Sequence, residues 1–150
     1  MKKALSILAP LLLASCAFGP QAVYTDSAHS LSDTSVFSAR ASGDLAQIMF
    51  VDGKRPECWK QGCPTVVRVL PGAHTFVIQF QRWHGLLDVS GEITLHVPDM
   101  KPRHVYAVEY DVSRDEKILH ARPVDLGENS GYSVCRAKLD HGGECSPISF

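Results

Sequence analysis

Five cysteines and seven histidines are the residues of this chain best suited to chemistry, since thiolates and imidazoles bind metals, move protons and attack electrophiles. Their spacing argues against most of these roles. Cys58 and Cys63 have four residues between them, where a dithiol redox centre has two, and they lie in a proline-bounded segment instead of at a helix N-terminus. His74, His84, His96, His104, His120 and His141 form no His-Glu-x-x-His repeat, and the cysteines form no pair of close C-x-x-C motifs. The arrangement closest to a ligand set is Glu92 and His96 on the outward face of one expected strand, with His104 entering the next. Serine hydrolysis is unsignalled too, because neither Ser90-Gly91 nor Ser130-Gly131 sits in a G-x-S-x-G elbow.

Aromatic and basic residues offer a different chemistry. Trp59 in the Cys58–Cys63 segment, Arg82-Trp83-His84, and the turn carrying Lys101, Arg103 and His104 combine flat apolar faces with positive charge. Such groups suit a sugar, an anionic glycan or a protein partner if the fold gathers them.

The compartment is written at the N-terminus. Met1-Lys2-Lys3 is a basic opening and Ala4 to Leu13 a short apolar run, too short for the roughly 20 residues that span a bilayer. The run ends in Leu13-Ala14-Ser15-Cys16, which resembles the lipobox of bacterial lipoprotein signal peptides. That resemblance implies cleavage before Cys16, a diacylglycerol on its thiol, and a further acyl chain such as palmitate on the new amino terminus. Several chains anchor stably where one holds only marginally. Such lipoproteins are retained at the inner membrane by an Asp after the lipidated cysteine; Ala17 stands here, which implies outer-membrane delivery with the domain facing the periplasm. Removing residues 1–15 takes away Lys2 and Lys3 and leaves 13 Lys+Arg against 16 Asp+Glu, a net of −3, so no global attraction to nucleic acid is expected.

With Cys16 given to lipid, four cysteines remain in a chain that reads as exported, and they permit three disulfide connectivities. Each of Cys58–Cys63 and Cys135–Cys145 flanks a short turn-prone segment, which favours that pairing. Closing such short loops contributes only about 2 to 3 kcal/mol each, so the core must do the rest.

The elements that would position these groups are strands. Residues 16–43 are rich in Ser, Ala, Thr and Asp and read as a flexible tether reaching at most about 80 Å, the alternative being that Ser35-Val-Phe-Ser-Ala39 adds an edge strand. The domain is expected over 44–150. Strands are predicted over Leu45–Val51, Thr65–Leu70, His74–Trp83, Leu87–Val97, His104–Val112, Ile118–Val124 and Tyr132–Ala137. In the third, Phe76, Ile78 and Phe80 share one face, and in the fourth Ile93, Leu95 and Val97 do, the period-two pattern of half-buried strands. Pro71-Gly72 suits a corner that carries the chain from one sheet to another. About seven short strands with Gly/Pro turns and no capped helical stripe predict an all-β fold, a small antiparallel β-sandwich.

Ile48-Met-Phe-Val-Asp-Gly-Lys54, Pro64 and then Val67-Arg-Val-Leu-Pro-Gly-Ala-His-Thr-Phe-Val-Ile78, followed by the strand Glu92 to Val97, resembles the PEGA-like group of small bacterial envelope β-sandwich modules. The likeness covers residues 45 to 112; the naming tetrapeptide is absent and the loop before Pro64 is longer and carries two cysteines. It implies a noncatalytic module without cofactors that docks an envelope protein or a cell-wall glycan. The alternative reading is a periplasmic metal-binding protein using Glu92, His96 and His104, and the third an envelope hydrolase.

Overall fold

Short runs of β-branched and aromatic residues separated by Gly and Pro form strands throughout. A computed structural model of the protein describes residues 20–23, 29–40, 45–59, 62–84, 87–113, 118–128, 132–137, 143–148 and 150. The strands are β1 (Gln21–Ala22), β2 (Ser35–Ser38), β3 (Leu45–Val51), β4 (Val66–Val69), β5 (Gly72–His84), β6 (Leu87–Met100), β7 (Val105–Ser113), β8 (Ile118–Asp125), β9 (Ser133–Ala137) and β10 (Gly143–Pro147). A single 3-10 turn, Leu31–Asp33, is the only helical piece among the described residues.

Two sheets face each other. One has the order β1-β4-β2-β7-β8 and the other β3-β5-β6, while β9 and β10 pair separately. Pairing is antiparallel except for β1 with β4 and β2 with β7. The expected core face is the observed one: Phe76, Ile78, Phe80, Leu95 and Val97 point inward with Ala46, Ile48 and Val51, and meet Phe37, Val67, Val69, Tyr106 and Val108 of the opposite sheet. Phe37 stacks on Phe76 across the gap, ring centroids 3.6 Å apart. Tyr110 closes the same layer beside Phe80 and donates its hydroxyl hydrogen to the Ala39 carbonyl at 2.6 Å. Burial pushes the Tyr110 hydroxyl pKa well up, keeping it a donor.

Pro71-Gly72 is the expected sheet-to-sheet corner, with β4 in one sheet, β5 in the other and Gly72 at φ 127°. Three expectations need correction. Residues 16–43 are not all tether: Gln21–Ala22 pairs with β4, and Ser35–Ser38 is a central strand between β4 and β7, not an edge. The fourth strand does not stop at Pro98 but runs to Met100, which an edge strand permits because a missing N–H there breaks no ladder bond. A further strand, β10, follows the seven expected.

Around β2 and β4 the five-stranded sheet is covered on both sides. On its outer face Val36, Val66 and Val105 are buried under Ile148 with Tyr132 and Phe150, so all four residues of β2 and all four of β4 are buried. Phe37→Ala should therefore cost about 3–5 kcal/mol, measured as a lower urea midpoint at unchanged slope; a tether residue would cost next to nothing.

Candidate functional site

The segment joining β3 to β4 leaves one sheet and enters the other, and its described residues are held by several hydrogen bonds and a disulfide. Asp52 (φ 50°) and Gly53 (φ 74°) turn the chain, and Val51 and Lys54 exchange both backbone bonds at 2.8 and 2.9 Å. Asp52 also fastens this turn to the opposite corner. Its Oδ1 accepts the Thr75 N–H at 2.8 Å, and His74 bridges Asp52 Oδ2 through Nδ1 (2.6 Å) and the Leu70 carbonyl through Nε2 (2.7 Å).

Beyond the turn the chain runs back along β3 as a closed ring. Cys58 and Cys63 are joined by a disulfide, as the spacing favoured. Inside it Trp59 and Gly62 exchange backbone hydrogen bonds, each 2.9 Å. The ring is moored on two sides. Gln47 Oε1 accepts the Cys63 N–H at 3.1 Å and the Pro64 carbonyl accepts the Ile48 N–H at 2.8 Å, fixing it to β3. The Gln21 carboxamide, oriented to satisfy both groups, donates to the Glu57 carbonyl (3.1 Å) and accepts the Glu57 N–H (2.9 Å), fixing it to β1. Gly62 takes φ 122°, which favours glycine, and a Cβ there would push aside the Gln47 carboxamide 2.5 Å away. What this framework presents is Trp59, 69% exposed, with Arg55 Nη2 beside the disulfide, 3.9 Å from Cys63 Sγ. The Trp59 main chain is held by the Gly62 pair and the disulfide, so its exposed indole can make a contact with little further loss of backbone entropy.

The other expected contributors do not gather around it. Gly72 pairs with Met100 at one end of the β5–β6 hairpin and His84 with Leu87 at the other, so Arg82, Trp83 and His84 lie at the opposite end from Lys101 and Arg103. The side chains of residues 82–84 are outside the described set. Lys101 and Arg103 are exposed in the β6–β7 turn, where the Arg103 N–H donates to the Thr34 carbonyl at 2.7 Å and Arg103 Nε lies 3.4 Å from Glu128. Glu92 and His96 do share the outward face of β6, but four residues of extended chain place their backbones about 13 Å apart, too far to share one ion. His96 Nδ1 lies 3.3 Å from Thr75 Oγ1 instead, and His104 Nδ1 faces both Asp125 oxygens at 2.9 and 3.0 Å. Among the described residues no group of three metal-binding side chains converges. The β9–β10 register sets Cys135 opposite Cys145, whose side chains are also outside the described set.

Four polar features carried no signal in the sequence. Gln21 and Gln47 are ordinary amides until pairing brings them to the ring. The Asp52–His74 bridge joins residues 22 apart. Arg68, in the middle of a valine run, is 4% exposed; its Nη1 donates to Thr34 Oγ1 at 2.8 Å and its guanidinium lies 5.4 Å over the Phe150 ring. On the outer side of β7–β8 an open depression of about 380 Å³ is lined by Glu109, Asp111, His120 and Arg122, with Glu109 and Arg122 ion-paired across the strands. No family model, no curated protein and no solved structure matches this chain.

Two outcomes follow from these bonds. Gly62→Ala should strain the ring backbone and break the Gln47–Cys63 bond, lowering stability by about 1–3 kcal/mol in urea unfolding. Burial raises the Asp125 pKa, but the Gly127 N–H and His104 lower it more, and the net shift is downward from 3.8. A carboxylate with a depressed folded pKa stabilises above its unfolded pKa and loses that contribution as pH falls through the folded one. The stability gap between the wild type and Asp125→Asn should hence be full near neutrality and shrink as pH drops below about 4, read from unfolding curves at a series of pH values.

Proposed function

We propose that the protein is an outer-membrane lipoprotein whose β-sandwich is a noncatalytic docking module facing the periplasm. The observation that carries this reading is Leu13-Ala14-Ser15-Cys16 at the end of a short apolar run behind Lys2 and Lys3. Four further cysteines support an oxidising compartment: Cys58–Cys63 is a disulfide, and we assign Cys135–Cys145 as the second on the strength of their cross-strand register. The likeness of residues 45 to 112 to PEGA-like envelope modules supports a role in holding other components rather than transforming them.

The lipid confines the domain to a surface, and an exposed basic turn then engages an envelope protein or a cell-wall glycan. Lys101 and Arg103 suit that contact because their backbone is immobilised, Ser35 Oγ donating to the Lys101 carbonyl at 2.7 Å and the Arg103 N–H to Thr34, while their side chains remain exposed. Confinement matters energetically, since tethering raises the effective concentration of weak partners.

Cys16→Ser should release the protein from membranes into the periplasmic fraction; retention with the membranes would sink the anchor. In-cell crosslinking of the intact protein should capture a defined envelope component, and Lys101→Glu with Arg103→Glu should cut capture about tenfold or more, as charge reversal does at an electrostatic contact. Equal capture by the double variant would remove the basic turn from the reading.

A further inference from the structure

The direction in which β1 pairs fixes where the lipid would lie relative to the domain. Gln21 and Ala22 run parallel to β4, opposite Val67 and Arg68, so the chain preceding Gln21 departs from the Val66 end of β4. That end adjoins Pro64 and Cys63, the close of the disulfide ring, and the Glu57 backbone is bonded to Gln21 itself. The opposite end of β4 adjoins Leu70, and there the strand β2 begins, with Ser35 opposite Val69 and bonded to Lys101. The ring and the basic turn thus lie at opposite ends of the sandwich.

Chain length does the rest. Cys16 precedes Gln21 by five residues, and at no more than about 3.6 Å each they reach about 18 Å. The expected long tether is therefore short, because pairing consumes it at Gln21. A diacylglycerol on Cys16 sits at the bilayer boundary, so the edge carrying Gln21 and Glu57 must lie within about 18 Å of it, and Trp59 follows Glu57 by two residues. Trp59 is the most exposed large apolar side chain among the described residues, at 69%. Indole, with an apolar body and one N–H donor, concentrates at the water–lipid boundary, and an adjoining arginine can bury its stem there while its head stays wet.

From these observations we infer that Trp59 is a second membrane contact: its indole inserts into the headgroup region of the same bilayer that holds the lipid on Cys16. Arg55 lies alongside at the phosphate level. The sandwich then stands with its ring end on the membrane and Lys101 and Arg103 at the far end, turned toward the periplasm. Trp59 is thereby assigned to lipid and not to the protein or glycan partner.

The inference rests on lipidation of Cys16, and its test separates the two. The lipidated full-length protein is reconstituted into phospholipid vesicles carrying bromine near the glycerol end of the acyl chains, and tryptophan emission is compared with that of Trp59→Phe in the same vesicles and in vesicles without bromine. Trp59 is exposed, so its substitution leaves the core intact, and the difference between the two proteins is the emission of Trp59 alone. The expected result is loss of that difference signal to the brominated lipid and its shift to shorter wavelength. A difference signal equal in both vesicle types, in a protein that Cys16→Ser releases from membranes, overturns the membrane contact while leaving the anchor standing, and returns Trp59 to the partner-binding surface. Retention of Cys16→Ser on membranes overturns the anchor and this inference with it.

Discussion

The stacking of Phe37 on Phe76, centroids 3.6 Å apart and planes within 4°, joins the two sheets at the strand on which everything else depends. That strand, β2, is four residues long, yet it supplies the ladder partner of both β4 and β7. Removing it would split the five-stranded sheet into two narrow ribbons, each too small to be stable alone. Because β2 is central, its alternate residue Val36 faces the other way and needs cover of its own. Ile148 and Phe150 provide that cover together with Tyr132, whose hydroxyl donates to Ser38 Oγ at 2.6 Å. The same outer face takes in Arg68. A guanidinium there would be costly unless its donors are met, and Thr34 and the Phe150 ring lie against it.

The chain passes between the sheets on both sides of β4, and the two passages differ in kind. Leu70-Pro71-Gly72 is minimal, a corner whose geometry is set by proline and a positive-φ glycine. The passage from Asp52 to Thr65 is long, and a long irregular segment must find partners for its backbone or stay in water. Here Gln21 and Gln47 supply them from the edge strands of the two sheets, and the disulfide shortens what remains. His74 links the two passages, holding the Asp52 carboxylate at one and the Leu70 carbonyl at the other.

The sandwich was legible where one strand carries its own period. Phe76, Ile78 and Phe80 declare the core face without reference to any neighbour, and Ile93, Leu95 and Val97 repeat it. Strands whose burial depends on distant partners were not. Ser35-Val-Phe-Ser38 sits among serines and has no room for a period, and Gly143-Glu-Cys-Ser-Pro147 is made of poor strand formers that pair only because β9 lies beside them. Pro98 reads as a breaker until β6 is known to be an edge. At the site, Cys58, Cys63 and Trp59 were visible by type, but the amides that moor the ring carry no signature. Whether Trp83 and Lys101 could share a patch depended on a hairpin register that only the folded β5–β6 pair reveals.

For the lipoprotein proposed above, the net charge of −3 left by removing residues 1–15 would bear on a membrane contact at Trp59 only through charges within about 8 Å, because salt screens the rest. Carboxylates at the β6–β7 end, such as Glu128 beside Arg103, are out of range of the ring, whereas the exposed Glu57 is within range and shares its segment with Arg55. The proposed contact would be carried by an apolar side chain, for which charge is secondary. Tether length decides more. A link of some 25 residues would let the domain rotate freely and average every face over the surface, so an exposed tryptophan would meet lipid only by chance. With the lipid on Cys16 proposed above, the five residues to Gln21 would leave little such freedom, and the parallel pairing of β1 with β4 would convert a sequence position into an orientation.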